Sequence, residues 1–173
     1  MLIDFRELLS GSGNEISYPA NIDMTSLDDG VNRYPVIRKE PFVIQAYKTG
    51  KDKVQIQCNG SVILSIPCDR CLEPVEMNID FNVDDVIEFN KTDSDEEQEE
   101  KDYIDGYNLD VDRLIFGELL VSIPGKILCR EDCKGLCPVC GTNLNVAECG
   151  CDREILDPRM SVFKDILNNF KEV

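Results

Sequence analysis

LCREDCKGLCPVCGTNLNVAECGCD, residues 128–152, gathers Cys129, Cys133, Cys137, Cys140, Cys149 and Cys151 into one glycine-punctuated run. Within it, Cys137-Pro-Val-Cys140-Gly141 has the form of a metal knuckle, a tight turn that aims two sulfurs and several backbone amides at one ion. A second C-x2-C pair, Cys68-Asp-Arg-Cys71, lies far upstream. With Cys58 set aside, the other eight of the nine cysteines fall into four close pairs, enough thiols for two tetrahedral sites. The favoured local site is Cys137, Cys140, Cys149 and Cys151, where the knuckle faces the Cys-Gly-Cys hook. Cys129 and Cys133 then close a second site with Cys68 and Cys71, and its ion would clamp the upstream sheet to the C-terminal lobe. Ligands exchanged between the two sites, or one occupied site with four spare thiols, also satisfy the spacing.

Zinc is the expected ion, one or two per chain, because four thiolates hold it without redox activity. Four protein sulfurs leave no open position for water or substrate, so such a site is structural. The chain has no histidine, which removes the common general base near neutral pH and any Ser-His or Cys-His nucleophile pair. No catalytic residue and no organic cofactor site is expected. The spacings match neither ferredoxin pattern, which disfavours an iron–sulfur cluster. The rival function is a thiol or zinc-dependent redox enzyme, or a metal-responsive switch, using Cys68 and Cys71. A redox dithiol normally opens a helix in a βαβ setting, whereas this pair lies between strand-like runs.

The formal charge of −16 is unevenly spread. Residues 84–112 carry thirteen acidic side chains against two lysines, while residues 126–173 are nearly balanced, eight acidic against seven basic. An acidic whole repels phosphate backbones at long range, so the expected partner is a basic protein, and RNA contact must be local. Candidates for such local contact are Lys126, Arg130, Lys134, Arg153 and Arg159; equally, they are solubilising charges around a metal site. No apolar run reaches the ~20 residues that span a bilayer, and Met1-Leu-Ile-Asp-Phe-Arg-Glu carries charge where a secretory signal needs apolar residues. A cytoplasmic location without membrane contact is expected, and in that reducing setting the cysteines read as ligands, not disulfides.

Upstream, the apolar positions of residues 1–9 fit a short strand or a helical turn, and Glu15 to Tyr18 fits an edge strand before Pro19. Phe42–Tyr47 and Val54–Cys58 flank a Lys-Thr-Gly-Lys-Asp-Lys turn and read as a hairpin. Ser61–Ile66 reads as a further strand, and Val75, Met77, Ile79, Phe81 and Val83 alternate with polar residues as in a strand buried on one face. Cys58 reads as a small buried hydrophobe. Asp110 is placed to cap a helix with Val111, Leu114, Ile115, Leu119 and Leu120 on one side, ending before Pro124-Gly125. Asp157-Pro158 opens a second helix with Met160, Phe163, Ile166, Leu167 and Phe170 in its stripe. The expected fold class is α+β: an antiparallel β-sheet with a helical segment and a cysteine-rich, zinc-binding C-terminal lobe. Its parts are a β-rich region over 1–89, an acidic flexible loop over 90–105, and the helix, cysteine lobe and C-terminal helix over 106–173, forming one composite domain.

Two motifs carry a resemblance to a known family. Cys68-Asp-Arg-Cys71-Leu-Glu-Pro-Val after a β-rich segment, and the run from Leu128 to Asn145 followed by the Cys-Gly-Cys hook and Asp157-Pro158-Arg159, resemble YceD-like proteins. That family is tied to accumulation of large-subunit ribosomal RNA. The resemblance implies a bacterial cytosolic factor supporting assembly of the large ribosomal subunit; the charge distribution adds the expectation that it acts on a subunit precursor or a basic ribosomal protein. The resemblance brings no established catalytic residues, and its motif cysteines map onto the eight named above.

Overall fold

The computed structural model describes residues 1–11, 13–89 and 101–152. The elements in chain order are β1 (Leu2–Asp4), α1 (Arg6–Ser10), β2 (Glu15–Ala20), β3 (Ser26–Asp28), β4 (Arg33–Lys39), β5 (Phe42–Lys48), β6 (Lys53–Pro67), β7 (Pro74–Glu88), β8 (Ile104–Asp105), β9 (Asn108–Asp110) and α2 (Val111–Ser122). The fold is α+β, and every strand pairing is antiparallel. Contacts divide the chain into two units. One holds Met1–Pro67 and Pro74–Ile127; the other holds Cys68–Glu73 and the described residues from Leu128 onward.

The first unit is built on the β6–β7 ribbon, which pairs without a register shift from Lys53↔Glu88 to Pro67↔Pro74. The prolines fall at a position where the alternating ladder needs no N–H between the two strands, and the next pair in the same register is tied by the Cys68 N–H donating to the Glu73 carbonyl at 2.9 Å. On its other edge β6 meets β5 from Gln57 down to Val54, and β4 from Val62 to Leu64. β2 closes the β5 side as an edge strand that runs through Pro19 to Ala20. The expected strand stopped at Tyr18; at a sheet edge the missing N–H of Pro19 faces no partner strand, so the strand continues. A small second sheet, ordered β1-β9-β8, uses residues 1–9 as a strand followed by a short helix, and draws β8 from the stretch read as acidic loop.

β6 differs from the sequence reading, which broke it into two strands at Asn59-Gly60. It is one strand because β7 pairs with it throughout, including Asn59↔Asn82 and Gly60↔Phe81. The Phe81 ring covers the site where Gly60 lacks a side chain; a Cβ there would lie 2.6 Å from Phe81 Cζ. Phe81 is itself held by an edge-on contact with Phe42, ring centroids 5.2 Å apart. The aromatic ring thus supplies the packing that glycine cannot, and strand pairing overrides the local turn preference.

The core of this unit collects Ile44, Ala46, Val54, Ile56, Val62, Leu64 and Ile87 with Phe5, Leu8 and Leu27. Cys58 is buried among them, and burial pushes its thiol up to about 12, as expected of a residue that serves as a hydrophobe. α2 packs on β7. Asp110 caps it, its carboxylate accepting from the backbone N–H groups of Asp112 and Arg113 at 3.1 and 3.3 Å. Val111, Leu114, Ile115 and Leu119 form its buried face, and Gly117 is exposed. The helix ends at Ser122, before Pro124, as the sequence requires. The second helix expected after Asp157 lies outside the described residues.

Gly60→Ala drives a methyl group into a ring that is packed on its far side. The expected cost is about 1–3 kcal/mol of unfolding free energy, read from urea denaturation of the two proteins.

Candidate metal centre

The eight expected cysteines converge in two groups, Cys68, Cys71, Cys129 and Cys133, and Cys137, Cys140, Cys149 and Cys151, all within the second unit. In each group the four Sγ atoms lie within 4.8 Å of one another. Cys68 Sγ sits 3.8 Å from Cys133 Sγ, and Cys71 Sγ 3.5 Å from Cys129 Sγ. A tetrahedral ion of zinc's size, bonded to sulfur at about 2.3 Å, separates its ligands by about 3.8 Å, the edge of the tetrahedron. The spacing of the sulfurs thus suits a single ion of this kind and is too close to enclose a multi-iron cluster. All nine cysteines are unbonded thiols.

Both C-x2-C turns share one backbone geometry. The N–H of the residue after the second cysteine donates to the carbonyl of the first: Gly141 to Cys137 at 2.8 Å and Leu72 to Cys68 at 2.9 Å. That residue takes a left-handed conformation in each case, φ +73° at Gly141 and +61° at Leu72. Glycine adopts it freely, whereas leucine does so at a cost of about 1–2 kcal/mol. Leu72 is 63% exposed, so apolar packing does not repay that cost. The turn is imposed by the need to aim Cys68 and Cys71 at one point. It also answers why the first knuckle is harder to read in sequence, since the Gly marker is missing.

Hydrogen bonds around the sulfurs prepare them for ligation. Burial works against charge on Cys68, yet the backbone N–H groups of Arg70, Cys129 and Cys71 bring its thiol down to about 6. The hydroxyl and backbone N–H of Thr142 do the same for Cys140, also to about 6. Cys129 is pushed up to about 12, chiefly by the Cys71 sulfur beside it, and Cys151 to about 12, chiefly by Cys140. Each group thus sets a sulfur whose surroundings favour the thiolate beside one whose neighbouring sulfur opposes ionisation, a repulsion that a cation would compensate. A bound divalent ion supplies that compensation and releases the remaining protons.

Asn145 and Arg70 were not singled out from the sequence, and both organise the first group. The Asn145 side-chain N–H donates to Cys133 Sγ at 3.3 Å, while its oxygen accepts from Arg130 Nη2 and from the Lys134 backbone N–H, each at 2.8 Å. Arg70 Nη1 donates to the Cys133 carbonyl at 2.8 Å, and the Arg70 carbonyl accepts from the Leu136 N–H at 3.0 Å. Such outer contacts fix the direction of a ligand and the electron density on it. Arg130 is accordingly tied to Asn145 and lies 3.5 Å from Asp132. Lys126 and Lys134 are exposed, and Arg153 and Arg159 lie outside the described residues. Asn145 was in view as part of the quoted motif, but only the folded hairpin brings it to Cys133.

The two knuckles should respond oppositely to exchange at their left-handed residue. Gly141→Ala is expected to weaken metal retention against a competing chelator and to destabilise the second unit by about 1–2 kcal/mol. Leu72→Gly is expected to leave retention unchanged or improved. A chelator titration followed with a colorimetric metal indicator reads both.

Among the described residues no helix is long and apolar enough to cross a membrane. An uncharacterized protein of Mycobacterium tuberculosis (strain ATCC 25618 / H37Rv) is 30% identical over 102 residues, 58% of this chain and 49% of its own length. An uncharacterized protein of Mycobacterium leprae (strain TN) is 28% identical over 102 residues, 58% of this chain and 46% of its own. The chain thus spans about half the length of the curated relatives it matches. No solved structure matches it. The family described as large ribosomal RNA subunit accumulation protein YceD matches residues 56–167, a span that takes in most of β6, all of β7 and α2, and both cysteine groups, and the chain belongs to that family.

Proposed function

We propose that this chain is a non-catalytic, zinc-stabilised factor that supports biogenesis of the large ribosomal subunit in the cytoplasm, by binding a basic ribosomal protein or an assembly intermediate. The observation that carries the reading is the family match across residues 56–167, which encloses every cysteine of the two groups. Three properties of the chain support the details. A site of four thiolates is coordinatively closed, so it organises structure and offers no place for substrate. Cys68 and Cys71, the pair a dithiol oxidoreductase would need at its surface, are 0% and 4% exposed. The net charge of −16 attracts basic proteins and repels bare phosphate backbones.

Protein purified without added metal is expected to carry two zinc ions per chain by elemental mass spectrometry, and to resist alkylation at Cys68 and Cys71. Cys137→Ser should lose one ion and keep the other. A reactive Cys68/Cys71 pair in metal-loaded protein would instead support the redox reading. In cells, depletion is expected to lower large-subunit ribosomal RNA relative to the small subunit in sucrose-gradient profiles, with rescue by the wild-type chain. Normal subunit profiles after depletion would overturn the proposal.

A further inference from the structure

The first unit holds an open groove of about 1030 Å³, bordered by Glu40, Gln45, Gln57, Asn59, Asp80 and Asp84. It lies over a seam in the sheet. β4 and β5 follow one another along the same edge of β6, but pairing with β4 ends at Lys39↔Val62 and pairing with β5 begins at Gln45↔Gln57. Five residues, 40–44, therefore face four residues of β6, 58–61, with no ladder between them. Pro41 occupies the interrupted side and has no N–H to offer. The seam leaves backbone polar groups of β6 without a strand partner on that edge, beside a floor formed by Phe42 and Phe81.

The charged side chains lining the groove are all carboxylates: Glu40, Asp80 and Asp84. None of the three makes an ion pair among the described residues. Two are held by neutral amides. Asp84 accepts from Gln55 Nε2 at 2.7 Å and Gln57 Nε2 at 3.1 Å, and Asp80 accepts from Asn78 Nδ2 at 2.9 Å. Amide donors orient a carboxylate without cancelling its charge, so the face keeps its negative potential and its unfilled acceptor capacity.

We infer that this seam is a docking surface for an extended lysine- and arginine-rich segment of a partner protein, whose cationic side chains lie against Glu40, Asp80 and Asp84. The inference rests on the reading that the chain binds a basic protein and assigns that contact to the first unit. Charge selects the occupant: an RNA strand would set phosphates against three carboxylates, and an apolar helix would bury them unpaired. The amides of Gln45, Gln57, Asn59 and Asn82 offer donors and acceptors to the segment's backbone.

The test uses the full, metal-loaded chain and a fluorescent twelve-residue Lys/Arg-rich peptide, with binding read by anisotropy and by NMR of the Gln and Asn side-chain amides. Saturable binding is expected, weakening with added salt and shifting the amide signals of Gln45, Gln57, Asn59 and Asn82. Asp80→Asn with Asp84→Asn should weaken it about five-fold, while neutralising the acidic residues of 93–102 should change it less. Unchanged thermal melting of the double variant excludes a folding defect. Binding that survives the double variant but is lost on neutralising 93–102 would overturn the seam while leaving a basic partner in place. No binding of the peptide, or preferential binding of an RNA oligonucleotide of the same length, would also overturn it; the role in subunit biogenesis is judged separately by the depletion profiles.

Discussion

Four sulfurs held within 4.8 Å of one another, twice in one small unit, are the constraint on which this protein's second half depends. Among the described residues of that unit, the buried non-glycine side chains are four cysteines, Cys68, Cys71, Cys133 and Cys137, and the single apolar residue Leu144. A lobe with so little apolar burial cannot offset its chain entropy by the hydrophobic effect. Crowded thiols do not attract one another either, and ionising them together without a cation is strongly unfavourable. Metal ligation would resolve both problems at once, since the binding free energy of an ion becomes folding free energy. The first unit stands on different ground, with a continuous core running from Phe5 through the β6–β7 ribbon to α2.

The chain enters the second unit twice, and this follows from where the cysteines are placed. Cys68–Glu73 is the short connection between two fifteen-residue strands, so one knuckle is delivered by the most extensively paired element of the fold. The strands run to Pro67 and Pro74, where the knuckle begins, and the Cys68 N–H donates to the Glu73 carbonyl at 2.9 Å in the same register to close the turn. The other ligands arrive after α2, whose own start is set by Asp110. Local sequence thus fixes the direction of each cysteine pair, and ligation would join segments about sixty residues apart without needing a shared hydrophobic face.

What could be read from the chain beforehand divides along physical lines. The alternation of Val75 to Val83, the Asp110 cap and the apolar stripe of α2 were legible because each is a local periodic signal that tertiary packing then reinforced. The grouping of cysteines was legible as a preference because knuckle and hook lie close in sequence. The continuity of β6 was not, since Asn59-Gly60 favours a turn until Phe81 from the neighbouring strand covers it. The sheet of β1, β9 and β8 was hidden for a related reason: its strands are two or three residues long, and β8 begins within an acidic stretch. Lys101 and Tyr103 anchor that stretch to Asp85 of β7, a contact that composition does not reveal.

Leu72 carries the same lesson in one residue. Its left-handed backbone contradicts what leucine prefers and what the absence of glycine announces. It becomes intelligible beside Gly141, where the same turn and the same N–H to carbonyl bond recur with the residue that geometry prefers. Two turns of different sequence therefore reach one backbone shape because each must present two sulfurs, and the amides around them, to a single point. A left-handed residue that recurs at the same position of two independent turns, once at the expense of a leucine, is what a requirement to converge two sulfurs on one point would impose on the backbone, and it supports a metal-directed reading of the knuckles beyond cysteine spacing alone.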